Sequence, residues 1–107
     1  MTTMSKMFAA VLVYESASSR RGHQPLFEET VTLLAADSPE QAAEKARAHA
    51  EARETSYRTA EGDTITWTFR HLVDLVEVDD ALGDGAEVYT RHFRDYRAYL
   101  AVEPLAS

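Results

Sequence analysis

The sequence predicts a small α+β domain, built as an antiparallel four-stranded sheet in β-β-α-β-β order with one helix packed on one face. Three observations lead to this fold class. A capped, alanine-rich helix lies in the middle of the chain, two strand-like segments precede it, and threonine alternates with large apolar residues in the segment that follows. We expect a single domain over residues 6–107 after a disordered N-terminus at residues 1–5, because a chain of 107 residues encloses one core.

The first third of the chain predicts a β-hairpin. Residues 7–14 are apolar on both alternating faces, as in a central strand that is covered on both sides. Residues 16–25 are polar, contain a glycine and a proline, and form the predicted loop. Residues 26–36 alternate as a strand with one solvated face does. One face of this strand carries Phe27, Val31, Leu33 and Ala35, and the other carries Glu28, Thr30 and Thr32.

The helix begins at a capping sequence, Ser38-Pro39-Glu40-Gln41. The Ser38 hydroxyl accepts from an amide of the first turn, proline suits the first helical position, and Gln41 completes a capping box. Alanines recur at helical spacing as far as about Glu54, so the helix lies close to the sheet as a lid. Because alanines bury little area, large side chains of the sheet must supply the core. The expected core residues are Phe27, Ile65, Trp67 and Phe69.

The second half predicts two more strands. Residues 64–69 alternate threonine with large apolar residues and are the clearest strand. The apolar positions beyond them change parity, which predicts a bulge or bend near Asp74. After a connection rich in glycine and aspartate, residues 87–94 are the predicted fourth strand. Residues 95–102 fit either a further strand or a short helix.

Several landmarks occur together along the chain. They are an apolar first strand ending near Tyr14-Glu15, the pair Glu28-Glu29, the helix start Ala36-Asp37-Ser38-Pro39-Glu40-Gln41-Ala42, the strand with Trp67 and Phe69, and Gly85-Ala86-Glu87-Val88-Tyr89-Thr90-Arg91. On these landmarks the chain resembles the bacterial family DUF4288, a domain of unknown function, over about residues 7–93. The resemblance implies no activity, catalytic residue or cofactor.

Composition and charge narrow the function classes. The net charge of −7 repels a phosphate backbone, so binding to nucleic acid is not favoured. The absence of cysteine excludes disulfides and thiolate zinc sites, and the four histidines are too dispersed for a ligand set. With neither a signal peptide nor a membrane-spanning stretch in the sequence, we expect a cytoplasmic protein without a membrane contact. We predict no metal and no cofactor.

One segment, residues 89–99, has the composition of a binding surface. Aromatic residues and arginines interleave there, and these residue types dominate interface hot spots and hold anionic ligands. An edge strand whose arginines pair with acidic residues of the same chain would have the same composition. The candidate residues for partner or ligand binding are Tyr89, Arg91, His92, Phe93, Arg94, Tyr96 and Arg97.

Two functions from different classes follow. We predict no catalytic residue, because no nucleophile has an identifiable base, and this favours a non-catalytic role over an enzyme. The first hypothesis is an adaptor, immunity or biosynthetic accessory protein that forms a homodimer through its sheet or binds a protein or peptide partner. The alternative is a small-molecule binding protein or enzyme with a pocket between the sheet and the 16–25 loop. Its expected lining is Tyr14, Trp67, His71 and Tyr89, with Arg91 or Arg94 holding an anionic ligand.

Overall fold

The computed structural model describes residues 5–103 as a four-stranded antiparallel sheet with one long helix on one face. In chain order the elements are β1 (Lys6–Ser18), β2 (Leu26–Ala36), α1 (Pro39–Ala52), β3 (Thr55–Arg58), β4 (Thr64–Glu77) and α2 (Tyr96–Val102). The strands lie in the order β2-β1-β4-β3. The predicted class and the β-β-α-β-β order are confirmed. Apart from Ser5, the disordered N-terminus predicted over residues 1–5 lies outside the described residues.

The central strand β1 is covered on both sides, as its two-sided apolar pattern predicts. Leu12 and Tyr14 are buried in one cluster with alanines of α1, and Phe8 is buried in a second cluster with Ala42. Successive side chains of a strand point to opposite faces, so Ala9 and Val11 lie on the face away from α1. Both are buried as well. We call this second side of the sheet the open face.

The helix α1 begins as its capping sequence predicts. The Ser38 hydroxyl accepts a hydrogen bond from the Gln41 amide at 3.1 Å, and the Gln41 side chain accepts from the Asp37 amide at 2.6 Å. Three alanines on one side of the helix are fully buried against the sheet: Ala42, Ala46 and Ala50. The predicted alanine-faced lid is confirmed, and the large side chains packed beneath it come from β1, β2 and β4.

The apolar side of β2 faces away from α1, opposite to the expected direction. Leu34 pairs with Phe8 and Thr30 pairs with Leu12, and residues paired across two strands share a face. The alternate set of Phe27, Val31 and Leu33, which we call the β2 stripe, therefore lies on the open face. These three residues are 60%, 47% and 41% exposed. The prediction that Phe27 belongs to the core is wrong, because alternation groups side chains by face whereas the hairpin register decides which face α1 covers.

Two bulges change the direction of side chains along β4. Its register with β1 passes over Val73 and over Arg70. The first bulge confirms the irregularity predicted near Asp74. Since each bulge reverses the alternation, Leu72 and Leu75 both pack toward α1 although three positions separate them.

The fourth strand of the sheet is β3 and not residues 87–94. The four residues of β3 pair with the start of β4 across a turn that contains Gly62 at φ +89°. All four are exposed and the strand follows α1 closely, so no apolar pattern marks it. Residues 87–94 form no strand, because a side-chain contact rather than a ladder of backbone hydrogen bonds holds this segment. The segment then enters α2, where Asp95 accepts from the Ala98 amide at 3.0 Å.

Candidate interaction surface

Tyr89 attaches the segment that follows β4 to the open face of the sheet. We call residues 86–103 the C-terminal arm. The Tyr89 hydroxyl donates a hydrogen bond of 2.9 Å to Oδ2 of Asp74, and Oδ1 of the same carboxylate accepts from the Leu75 amide at 2.9 Å. Burial raises the pKa of Tyr89, the hydrogen bond to Asp74 and the charges of Asp74 and Glu29 raise it further, and the charge of Arg91 lowers it. The phenol therefore stays a hydrogen-bond donor at neutral pH.

The arm runs across the sheet from β4 toward the edge strand β2. It starts at Asp74 on β4, where Tyr89 is bonded, and its later residues Arg91 and Phe93 border a groove with Glu29 of β2. Asp74 pairs with Val11 of β1 and Glu29 pairs with Val13, so this path lies over the middle of β1. Val11 is only 3% exposed although α1 is on the other side. The arm covers the centre of the open face and leaves the β2 stripe exposed.

A groove separates the arm from β2. Its volume is about 720 Å³, within the range of ligand and peptide sites. One side is formed by Glu29, and the other by Arg91, Phe93, Arg94, Asp95, Ala98, Tyr99, Val102 and Glu103. Both signs of charge border an apolar floor, so the groove suits an occupant with aromatic or aliphatic bulk and charged groups. We call it the arm groove.

Three stacked aromatic rings form the end of the arm. The ring of Tyr99 lies 4.8 Å from that of Phe93 and 6.0 Å from that of Tyr96, with interplanar angles of 10° and 12°. Tyr96 is 60% exposed and α2 contains no buried residue. A helix of seven residues is only marginally stable in water unless it packs against other parts of a protein. The stack is therefore an apolar surface that lacks a cover in the described chain.

The structure brings together most of the residues predicted in the 89–99 segment. Arg91, Phe93 and Arg94 line the arm groove, and Tyr89 anchors its start. His92 lines a separate recess of about 330 Å³ with Phe93 and Arg94. Tyr96 belongs to the stack, and Arg97 is exposed on α2.

The residues predicted for a pocket beside the 16–25 loop lie on opposite sides of the sheet. Tyr14 and Trp67 face α1 and line a cavity of about 160 Å³ with Glu28, Arg53 and Thr55. His71 pairs with Val13, lies on the open face with Tyr89, and is exposed. In the sequence His71 shares the alternation of Trp67 and Phe69, but the bulge at Arg70 reverses that alternation and places His71 on the opposite side of the sheet. The four side chains therefore do not line one pocket.

The sequence alone does not mark the β2 stripe or Asp74 as functional candidates. The alternation in residues 26–36 places the three residues of the stripe on one face of the strand, but the same pattern is typical of a face that is buried in the core. The parity change near Asp74 was the only sequence signal for its position. The bulge at Val73 places this carboxylate on the open face, where the arm crosses.

Two other kinds of site are absent from the described part of the chain. Neither helix in residues 5–103 is long and apolar enough to cross a membrane. Over the same residues, no group of three or more histidine, aspartate or glutamate side chains is arranged to hold a metal ion. The features that stand out in this range are the arm groove, the aromatic stack and the β2 stripe.

Comparison with known proteins identifies a family. The chain matches the family described as "Domain of unknown function (DUF4288)" over residues 7–90, which span β1 to the first part of the arm. No curated protein and no solved structure matches the chain. The match includes the β2 stripe, the bulge at Asp74 and the Tyr89 anchor. Since it covers well over half of the 107 residues, the chain belongs to the DUF4288 family.

Proposed function

We propose that this protein is a non-catalytic interaction module that forms a homodimer through its sheet. The observation that carries the proposal is the β2 stripe, an apolar row exposed on the edge strand of the sheet. Such a surface adjoining an unpaired sheet edge is a site for association with another chain. A cytoplasmic adaptor, immunity or biosynthetic accessory role fits a cysteine-free chain of this kind.

The edge of β2 has the properties of a pairing edge. It is 11 residues long, its register with β1 is continuous without a bulge, and no strand of the described sheet pairs with its outer side. Lys45 of α1 donates to the Ala35 carbonyl near one end of the strand. On the opposite side of the sheet β3 has only four residues, and residues 68–77 of β4, which lie beyond it, form an edge interrupted by two bulges. Long regular edges pair readily, whereas short ones are protected, so β2 is the edge we expect to associate.

Antiparallel pairing of β2 with β2 of a second copy would supply hydrogen-bond partners for the backbone of the free edge and would bring the apolar side chains of the two strands together. A two-fold axis near Thr32 places Val31 opposite Leu33 of the other copy, so the two stripes join into one apolar surface. The same register places Glu29 opposite Ala35. An axis near Glu29 would instead place like charges opposite each other, which is destabilising. We therefore favour the register centred near Thr32.

Sedimentation equilibrium of two matched variants tests the proposal. The substitution Val31→Lys places a charge in the stripe, and Thr68→Lys places the same charge on an exposed position of the same face, away from β2. We expect the wild type and Thr68→Lys to be dimers. We expect Val31→Lys to be monomeric with an unchanged circular dichroism spectrum. A wild type that sediments as a monomer at every concentration would contradict the proposal.

Anion binding is a second candidate function, and one observation favours it. Arg91 and Arg94 both line the arm groove, where two guanidinium groups can hold a carboxylate or phosphate. Thermal unfolding with a panel of small carboxylates and phosphates tests this role. A stabilisation seen in the wild type and lost in Arg91→Ala/Arg94→Ala would support it. The absence of any stabilisation in the wild type would count against it.

A further inference from the structure

We propose that the two copies of this dimer exchange their C-terminal arms, so that α2 and the aromatic stack of each copy cover the β2 stripe of the other. The inference deepens the proposed function and rests on it. In this arrangement the C-terminal arm of a second copy of this chain covers the β2 stripe and places side chains in the arm groove beside it.

The helix α2 at the end of the arm is not packed against the rest of its own chain. No strand and no other helix of the described chain packs against α2. The aromatic stack is therefore exposed to the surroundings, and the arm groove separates it from β2 of its own chain.

The direction of the arm leads to the neighbouring copy. The arm crosses the open face from Asp74 on β4 to Glu29 on β2, and β2 is the last strand on that side. When β2 pairs antiparallel with β2 of a second copy, the two-fold axis is perpendicular to the sheet, so both open faces lie on the same side. An arm that continues past the edge then lies over the stripe of the partner copy. The symmetry places the second arm over the first copy in the same way.

The two surfaces complement each other in shape and chemistry. The stack presents Tyr96 and Phe93, and the stripe presents Phe27, Val31 and Leu33, so both are apolar and exposed. Burying aromatic side chains against branched aliphatic ones stabilises an interface strongly. The arm groove of about 720 Å³ lies beside the stripe and gives space for the side chains of the second arm.

Charge favours the same arrangement. Residues 91–97 contain three arginines and one aspartate and so carry a net charge of +2, which Glu87 and Glu103 balance over the arm as a whole. Glu28 is engaged by Arg53 at 3.2 Å, but its neighbour Glu29 forms no ion pair within residues 5–103. Glu29 lies on the open face between Phe27 and Val31 of the stripe, where arginines of an incoming arm can reach it.

Disulfide cross-linking tests the exchange directly, because the chain contains no native cysteine. Four double variants combine Val31→Cys or Leu33→Cys with Phe93→Cys or Tyr96→Cys, since a disulfide forms only when the two Cα atoms lie within about 7 Å. A control variant combines Thr68→Cys with Tyr96→Cys. After oxidation we expect covalent dimers in at least one of the four and none in the control. Mass spectrometry of a mixture of two single variants, one of them isotope-labelled, identifies bonds between copies.

Two outcomes overturn the exchange. A disulfide within one chain would show that the arm folds back over its own stripe, and no disulfide in any of the four variants would show that the arm and stripe do not meet. A second measurement separates this inference from the proposed dimer. We expect Phe93→Ser/Tyr96→Ser to raise the dimer dissociation constant by about a hundredfold, because truncation of each buried aromatic weakens an interface about tenfold or more. If this variant dimerises normally while Val31→Lys does not, the dimer stands and the exchange fails.

Discussion

The hydroxyl of Tyr89 donates a hydrogen bond of 2.9 Å to Oδ2 of Asp74, and this contact joins the C-terminal arm to a bulge of the sheet. Without the extra residue Val73, Asp74 would share the α1 side of the sheet with Leu72. The bulge places the carboxylate on the open face instead. The irregularity in β4 therefore determines where the arm is attached.

Removing the Tyr89 hydroxyl is expected to loosen the arm. We predict that Tyr89→Phe lowers the free energy of unfolding by about 1 kcal/mol, because it deletes a hydrogen bond to a half-buried carboxylate. Urea unfolding measures this change. Trypsin should also cleave at Arg91, Arg94 and Arg97 more rapidly than in the wild type. The control is Tyr57→Phe, which removes the hydroxyl of an exposed tyrosine on β3. Equal effects of the two substitutions would contradict the anchoring role.

The same hydrogen bond predicts a loss of stability at alkaline pH. The pKa of Tyr89 is raised in the folded protein, so the folded state favours the protonated phenol. The stability that this hydrogen bond contributes is fully present below pH 10, the ordinary pKa of tyrosine. It is lost as the pH rises through the higher pKa that Tyr89 has in the folded protein. We expect the difference in unfolding free energy between wild type and Tyr89→Phe to shrink above pH 10. Urea unfolding between pH 8 and pH 11 checks this, and a difference that grows with pH would refute it.

The cap of α1 is expected to contribute measurably to stability. Ser38→Ala deletes the acceptor of the Gln41 amide, and we predict a loss of about 1 kcal/mol in the free energy of unfolding. Ser38→Asn is the matched control, because asparagine caps helices as well as serine does. Chemical denaturation of both variants measures the effect. If alanine and asparagine behaved alike at this position, the capping interpretation would be wrong.

The alanine seam of α1 is expected to reject larger side chains. Ala46 is fully buried between the helix and the sheet, so Ala46→Leu should cost about 1–3 kcal/mol through overpacking. Ala48→Leu, at an exposed position of the same helix, should change the stability little. Thermal unfolding of the two variants checks the contrast. Similar melting temperatures would mean that the helix can move away from the sheet without cost.

Several elements were predictable from the sequence because they depend on residues that are close together in the chain. The cap at Ser38, the alanine spacing of α1 and the two-sided apolarity of β1 are local patterns, and the structure confirms all three. The parity change that predicts the bulge near Asp74 is also local. The composition of residues 89–99 is a local signal too, and the binding role that it predicts stays a prediction.

Other features needed the folded chain. Four exposed residues form β3 because β4 offers a free edge beside them, and no pattern within β3 itself signals this pairing. The bulge at Arg70 turns His71 to the open face, although its spacing from Trp67 and Phe69 suggests the opposite. The path of the arm over β1 depends on Tyr89 meeting Asp74, which lies 15 positions earlier in the chain.

The sequence by itself therefore determined the class of fold, the helix α1 and the residues that share each face of β1 and of β2, since short-range spacing controls these properties. The tertiary structure alone decided which face of β2 remains uncovered. Phe27, Val31 and Leu33 have the alternation of a core face, and only the register of the hairpin and the side on which α1 packs leave them exposed. That choice depends on contacts between segments distant in the chain, which a periodic pattern does not encode.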